Sequence, residues 1–396
     1  MSEVMRMSRE ERIERAQQLV ERLPLPVYTK NYQVEYEHED LVEAMAENLS
    51  TTGVARPNEI DDLSDDIAAV TTGKSDRPII ITNSCAEDID VTQPIDELAQ
   101  KTIDELQVVK SSMLNNPVVI QRMCGQFFKP RTSMTEMIDG TEVLSYMGDG
   151  INGRDAEDRL PDASRLVAGA LQSRDIQEHL IEETGSPVMT AHEALSLAYE
   201  IPFIREDPET GKKYLHSAHL PWIGMRTNQV GGPHINMLSK IENTVGVKIG
   251  PKSDEGHIAD IAKTLNPNGL PGKIAFMVRM GLNDRGAVKT VLRGIKRHAP
   301  DAAVLYDIHG STRKRSDGKK IRLVSEIVAA IDLLAYESDA AGLRLNGVHL
   351  ETMNEKGRLE CIDYIDETPL EGNVDPRLNP DQTAYILNTV APFINR

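Results

Sequence analysis

The chain has 396 residues, 40% of them hydrophobic and 27% charged, enough to bury one large core or two smaller ones. A formal charge of -18 at pH 7 argues against nucleic acid or an anionic membrane as the main partner, because phosphate surfaces reward a basic face. Any anion must therefore be bound by a local cluster of cations, and no run of about 18 apolar residues is present to span a bilayer.

In chain order, Met1 to Leu23 is charged throughout and lacks the apolar segment and small-residue cleavage site of a signal peptide. Ser8 to Leu23 has apolar residues at helical spacing with Ser8 as N-cap, and Glu39 to Leu49 predicts a second helix. Pro57 to Ser75, rich in Asp, Gly and Thr, reads as a connecting segment. Residues 1–75 are thus expected to form an N-terminal helical extension and linker, and residues 76–396 a second unit.

From Pro78 the pattern changes to short β-branched runs alternating with amphipathic stretches. Strands are predicted at Pro78–Thr82, Pro117–Gln121, Ser186–Thr190, Tyr214–Ser217, Val245–Ile249, Ile274–Val278, Ala302–Tyr306 and Asn346–Leu350. Helices are predicted at Ile95–Leu114, Asp254–Leu265, Arg285–His298 and Ser325–Ala340. Eight such units predict an α/β fold, a closed (β/α)8 TIM barrel whose site lies at the C-terminal strand ends. A doubly wound open sheet is the rival.

The barrel is favoured because it gathers the polar residues that follow the strands into one mouth. Cys85, His309, Glu351 and Asp375 offer one thiolate, one imidazole and two carboxylates, a set suited to Mn²⁺, Fe²⁺, Co²⁺ or Zn²⁺. Each has a plain structural reading as well: a buried cysteine, a satisfied histidine, turn carboxylates. Arg122, Lys129, Arg226, Lys248 and Arg279 are costly to desolvate without an anion, so they imply a phosphate or carboxylate ligand. The run Arg313–Lys320 reads as a solvated charged turn rather than a binding site, although a loop following strand seven can reach a phosphate. Cys85, Cys124 and Cys361 have no close spacing, which suits a reducing, cytoplasmic compartment.

The motifs CGQFFKPRT, SYMGDGING, SAHLPWIGMRTNQ, VGVKIGP, LNPNGLPGKIAFMVRMG, HGST, GVHLET and DPRLNPDQ occur in this order. From Pro78 onward the chain resembles the type II 3-deoxy-D-arabino-heptulosonate 7-phosphate (DAHP) synthases, and the runs CAED and SPVMTAHEALSLAYE resemble their shorter forms from phenazine and other secondary-metabolite pathways. The resemblance implies a homo-oligomeric transferase that condenses phosphoenolpyruvate with erythrose 4-phosphate and releases phosphate, with a divalent metal, Mn²⁺ first. It also implies that Cys85, His309, Glu351 and Asp375 are the metal ligands. Arg122, Lys129, Arg226, Lys248 and Arg279 would bind phosphoenolpyruvate, and Arg131 with Thr132 the aldose phosphate. Lys129 would pass a proton to the developing alkoxide, with a metal-bound water or His309 as rivals for that role.

The chain departs from this pattern in several places. Met147, Met225, Asn228 and Gly231 stand where the family has Arg, an acidic residue, Arg and Asp. Their joint loss reads as a vanished ion-pair network, or as an acceptor pocket reshaped for another phosphorylated aldose. Tyr306 stands at the usual Asp before the histidine, with Asp307 one place later as a displaced supporting carboxylate. A catalytically silent regulatory homologue is the third reading, opposed by retention of all matched ligands.

Overall fold

The computed structural model describes residues 33–34, 53–85, 89–113, 115–129, 131, 133–138, 140–316, 318–363, 369 and 374–394. The helices expected at Ser8–Leu23 and Glu39–Leu49 lie outside these residues. Eight parallel strands make the central sheet: β1 (Ile79–Thr82), β2 (Val118–Gln121), β3 (Ala191–Glu193), β4 (Leu220–Ile223), β5 (Val245–Ile249), β6 (Ile274–Val278), β7 (Ala303–Asp307) and β8 (Gly347–His349). Their hydrogen-bonded order is β2, β1, β8, β7, β6, β5, β4, β3, and a parallel bridge from Gln121 to Thr190 brings the two ends together. This is the (β/α)8 barrel expected from the alternation, and the open sheet is excluded.

Two strands differ from their predicted positions. The third lies at Ala191–Glu193 rather than Ser186–Thr190, and the fourth at Leu220–Ile223 rather than Tyr214–Ser217. Lys213–Leu215 instead pairs with Ile204–Glu206 in a separate antiparallel hairpin. The physical reason is Pro221: a proline inside a run argues against a strand because it lacks a donor, yet here it pairs with His192 in a short parallel segment.

The segment read as a connector is helix α1 (Pro57–Thr71). Pro57 occupies its first turn, and the Glu59 carboxylate accepts from the Arg56 amide at 3.0 Å. Its acidic composition hid an apolar face, on which Leu63, Ile67 and Val70 pack with the inward residues of the barrel. Around the sheet lie α2 (Ile95–Ser112), α3 (Ser164–Thr184), α4 (Glu255–Leu265), α5 (Arg285–His298), α6 (Val324–Ala340) and α7 (Pro380–Val390). Asp254 caps α4 by accepting from the His257 amide, and Asn379 with Gln382 forms a reciprocal box at the start of α7. Among the described residues no helix is long and apolar enough to cross a membrane.

Strand alternation separates two cores. Ile79, Ile81, Val118, Ile120, Ala275, Met277, Ala303 and Leu305 point inward, while Ile80, Phe276, Val304 and Val348 pack outward against the helices. Gly347 is where β8 passes closest to β1: a Cβ there would sit 1.8 Å from the Ile79 carbonyl oxygen. Backbone, not a flexible side chain, would have to move. Gly347→Ala is expected to cost about 3 kcal/mol of stability, measured by urea unfolding; a wild-type midpoint would refute the close approach.

Candidate active site

Extending the inward parity past each strand end predicts which residues meet at the barrel mouth. Following Val118 and Ile120 comes Arg122; after Ala275 and Met277, Arg279; after Ala303 and Leu305, Asp307; after Gly347 and His349, Glu351. Lys248 follows Gly246 in the same way on β5. Arg122, Lys129, Arg226, Lys248 and Arg279 line one pocket, together with Cys85, His309 and Asp375. The five cations expected to bind an anion are therefore gathered in one place, beside the expected ligands.

Trp222 lines this pocket as well. It is buried, and the Arg122 guanidinium and the Lys248 ammonium lie 5.7 and 5.3 Å from its ring. Both cations are also anchored by carboxylates: Arg122 to Glu351 at 3.0 Å and Lys248 to Asp307 at 3.2 Å. Holding the heads in place before an anion arrives lowers the ordering cost of binding.

His309, Glu351 and Asp375 each offer a ligand atom within 4.8 Å of the other two. Cys85 joins them through Glu351, its thiol donating to Oε1 at 3.0 Å, with Arg122 Nη2 and Lys129 Nζ at 3.6 and 3.8 Å from the sulfur. The nitrogen and carboxylate donors of His309, Glu351 and Asp375 converge as a divalent metal requires, and the Cys85 sulfur adjoins them at Glu351 without belonging to that close group. Burial alone would raise the Glu351 pKa, but His309, Arg322 and Arg122 around it hold the carboxyl well below the usual range. Asp375 is likewise held ionised: burial and Glu351 oppose this, while Lys129, Arg322 and His309 outweigh them.

Asp307 is the displaced supporting carboxylate. Its Oδ1 lies 2.6 Å from His309 Nδ1 and accepts from the His309 amide at 3.0 Å, leaving Nε2 turned to Glu351 at 3.2 Å. Despite burial, Lys248, His309 and His349 keep the Asp307 carboxyl far below its ordinary value. His349, buried beside it, is pushed down to about 3 by burial and by Lys248, so it stays neutral. Tyr306, at the position where the aspartate was expected, points outward into the core and bonds Ser311.

The structure separates the remaining expectations. Arg131 does not line the pocket: its Nε donates to the Tyr146 carbonyl and its guanidinium lies 5.9 Å from the Tyr146 ring. Thr132 lies outside the described residues. Of the four departing positions, only Met225 reaches the pocket, where its side chain packs on Gly250. Met147 is buried in the outer core, Asn228 donates to the Lys248 carbonyl at 2.8 Å, and Gly231 is exposed with a φ of +83°. A pocket wall built from all four is thereby excluded.

Several residues of the site were missed. The run Arg313–Lys320 is not wholly a solvated turn, because Lys320 lines the pocket and pairs with Asp375. Arg322, fully buried, pairs with Glu351 Oε2 at 2.7 Å and Asp375 at 3.7 Å. Glu193 was hidden because the third strand was placed too early; with β3 at Ala191–Glu193, the inward parity of Ala191 carries it to the mouth.

Comparison with known proteins gives the same direction. The model of the Class-II DAHP synthetase family matches residues 26–181 and 176–391. A Pseudomonas fluorescens protein named probable phospho-2-dehydro-3-deoxyheptonate aldolase is 34% identical over 368 residues, covering 87% of this chain and 90% of its own. Phospho-2-dehydro-3-deoxyheptonate aldolases of Streptomyces coelicolor and Mycolicibacterium smegmatis are 27% and 29% identical, covering 91% and 90% of this chain and 94% and 90% of theirs. The solved structure of the Francisella tularensis phospho-2-dehydro-3-deoxyheptonate aldolase superposes with a TM-score of 0.53 at 18% identity, covering 85% of this chain and 91% of that one, a likeness of fold.

Proposed function

Because the chain belongs to the class-II DAHP synthetase family, we propose that it condenses phosphoenolpyruvate with erythrose 4-phosphate to give DAHP and phosphate. The observation that carries this reading is the single pocket in which Arg122, Lys129, Arg226, Lys248 and Arg279 face the ligand set of His309, Glu351, Asp375 and Cys85. In the proposed mechanism the cations hold two anionic substrates that would otherwise repel, and fix the nucleophilic C3 of phosphoenolpyruvate against the aldehyde. Cys85, His309, Glu351 and Asp375 would hold a divalent metal, Mn²⁺ first and Co²⁺, Fe²⁺ or Zn²⁺ as alternatives, which would supply Lewis-acid polarisation of the aldehyde carbonyl.

Lys129 is the proton donor we favour for the developing alkoxide. Its ammonium lies beside Cys85, whereas both ring nitrogens of His309 face carboxylates. Arg131 and Thr132 are assigned to the aldose phosphate, Arg131 requiring release from the Tyr146 carbonyl to reach it. A cytoplasmic homo-oligomer, with residues 1–75 as an extension to the barrel, is the setting we propose.

The test is to incubate the protein with phosphoenolpyruvate, Mn²⁺ and a panel of phosphorylated aldoses, following phosphate release and product mass. Turnover with erythrose 4-phosphate is expected, and dialysis against a chelator should lower it ~10³-fold, reversibly on adding Mn²⁺, as several kcal/mol of charge stabilisation implies. Turnover with another aldose and none with erythrose 4-phosphate would overturn the reading.

A further inference from the structure

Between the end of β1 and Cys85 lie only Asn83 and Ser84, and the turn they make is held from outside. Asn83 has a φ of +93°, a backbone conformation that residues with side chains adopt rarely and that persists only where the surroundings over-determine it. Its own side chain supplies part of that hold. Oδ1 accepts from the Ser84 amide at 2.7 Å, and Nδ2 donates to Gln121 at 3.2 Å and Thr102 at 3.4 Å.

Two further ties fix the turn against the carboxylate ligands. Thr352, next to Glu351, accepts from the Asn83 amide at 2.8 Å through its hydroxyl, and its own amide donates to the Asn83 carbonyl at 3.3 Å. Because the Asn83 amide can only donate, the Thr352 hydroxyl gives its single proton to Glu105 of α2, buried behind it. Arg377, two residues after Asp375, donates from Nη1 to Ser84 Oγ at 3.0 Å, while Glu360 holds its Nε and Nη2 at 2.9 and 2.8 Å. Glu105, Thr352, Ser84 and Arg377 are all buried, and none of them lines the pocket. Buried charges are a poor source of stability, whereas directional bonds fix a position.

We propose that Thr352, backed by Glu105, and Ser84, backed by Arg377, are positioning residues that set the Cys85 sulfur as the fourth metal donor. The sulfur adjoins Glu351 but stands apart from the close group of His309, Glu351 and Asp375, so its place depends on the turn that carries it. This rests on the metal-site reading above and deepens it: the turn is latched to the chain neighbours of two other ligands.

The test uses the full chain loaded with Co²⁺ and, separately, titrated with Mn²⁺. Wild type is expected to show the near-ultraviolet charge-transfer band of a thiolate on Co²⁺. Thr352→Val, which keeps the shape and removes the hydroxyl, should lose most of that band and bind Mn²⁺ ~10- to 100-fold more weakly, and Thr352→Ser should restore both. Ser84→Ala, which breaks the other tie, should act in the same direction, and it decides the matter if urea unfolding in chelator shows that Thr352→Val does not fold. In a Cys85→Ala background, either change should alter Mn²⁺ affinity by no more than about twofold, since its effect runs through the sulfur. No band in wild type would overturn the reading of Cys85 as a ligand and this inference with it. A wild-type band and Mn²⁺ affinity in the folded variants, or an equal loss of affinity with and without Cys85, would overturn the inference alone.

Discussion

Glu351→Gln is expected to destabilise the protein by about 3–5 kcal/mol and to abolish metal-dependent turnover together. Glu351 is fully buried, and its two oxygens are shared by Arg322 at 2.7 Å, Arg122 at 3.0 Å and His309 at 3.2 Å. An amide keeps the shape but removes the charge, leaving two buried guanidiniums facing a neutral group. Asp375, 3.7 Å from Arg322, offsets this only in part. The same change removes one ionic ligand from the set of His309, Glu351 and Asp375. Urea unfolding in chelator separates the first effect from Mn²⁺ titration, which reads the second. A variant as stable as wild type, with unaltered Mn²⁺ affinity, would refute the central place given to Glu351.

The second large effect is expected at Asp307. Asp307→Asn should weaken metal binding about 10- to 100-fold, because the carboxylate that fixes the ring of His309 through Nδ1 is replaced by a group that can present a donor there. Affinity for phosphoenolpyruvate should behave differently. Lys248, 3.2 Å from Asp307, would lose its resident counter-charge and gain more from an arriving anion. Calorimetric titration with Mn²⁺ and fluorescence titration with phosphoenolpyruvate are expected to split, the first weakened and the second retained or tightened. Parallel loss of both would mean that Asp307 supports the mouth as a whole.

Much of this site was legible before the fold was known. Cys85, Arg122, Lys248, Arg279, His309 and Glu351 each follow or end an apolar run, and a closed barrel brings such ends together. Asp375 follows no barrel strand; it reads as a turn carboxylate before Pro376, and only the fold brings it within reach of His309 and Glu351. Arg322 was illegible because it belongs to a charged run, and only its pairing with Glu351 and Asp375 makes its complete burial tolerable. The helix at Pro57–Thr71 escaped because acidic residues dilute its apolar spacing, and the core it joins is made by the barrel.

The sequence by itself determined the eightfold alternation, the residue types at most strand ends and the family, since these depend on local periodicity and ordered motifs. Tertiary structure alone decided the register of β3 and β4, the exclusion of Met147, Asn228 and Gly231 from the pocket, and the arrival of Glu193 at its edge. The reason is the period of a strand: a shift of one residue reverses which side chains face the axis, and short strands interrupted by proline carry too little pattern to fix it.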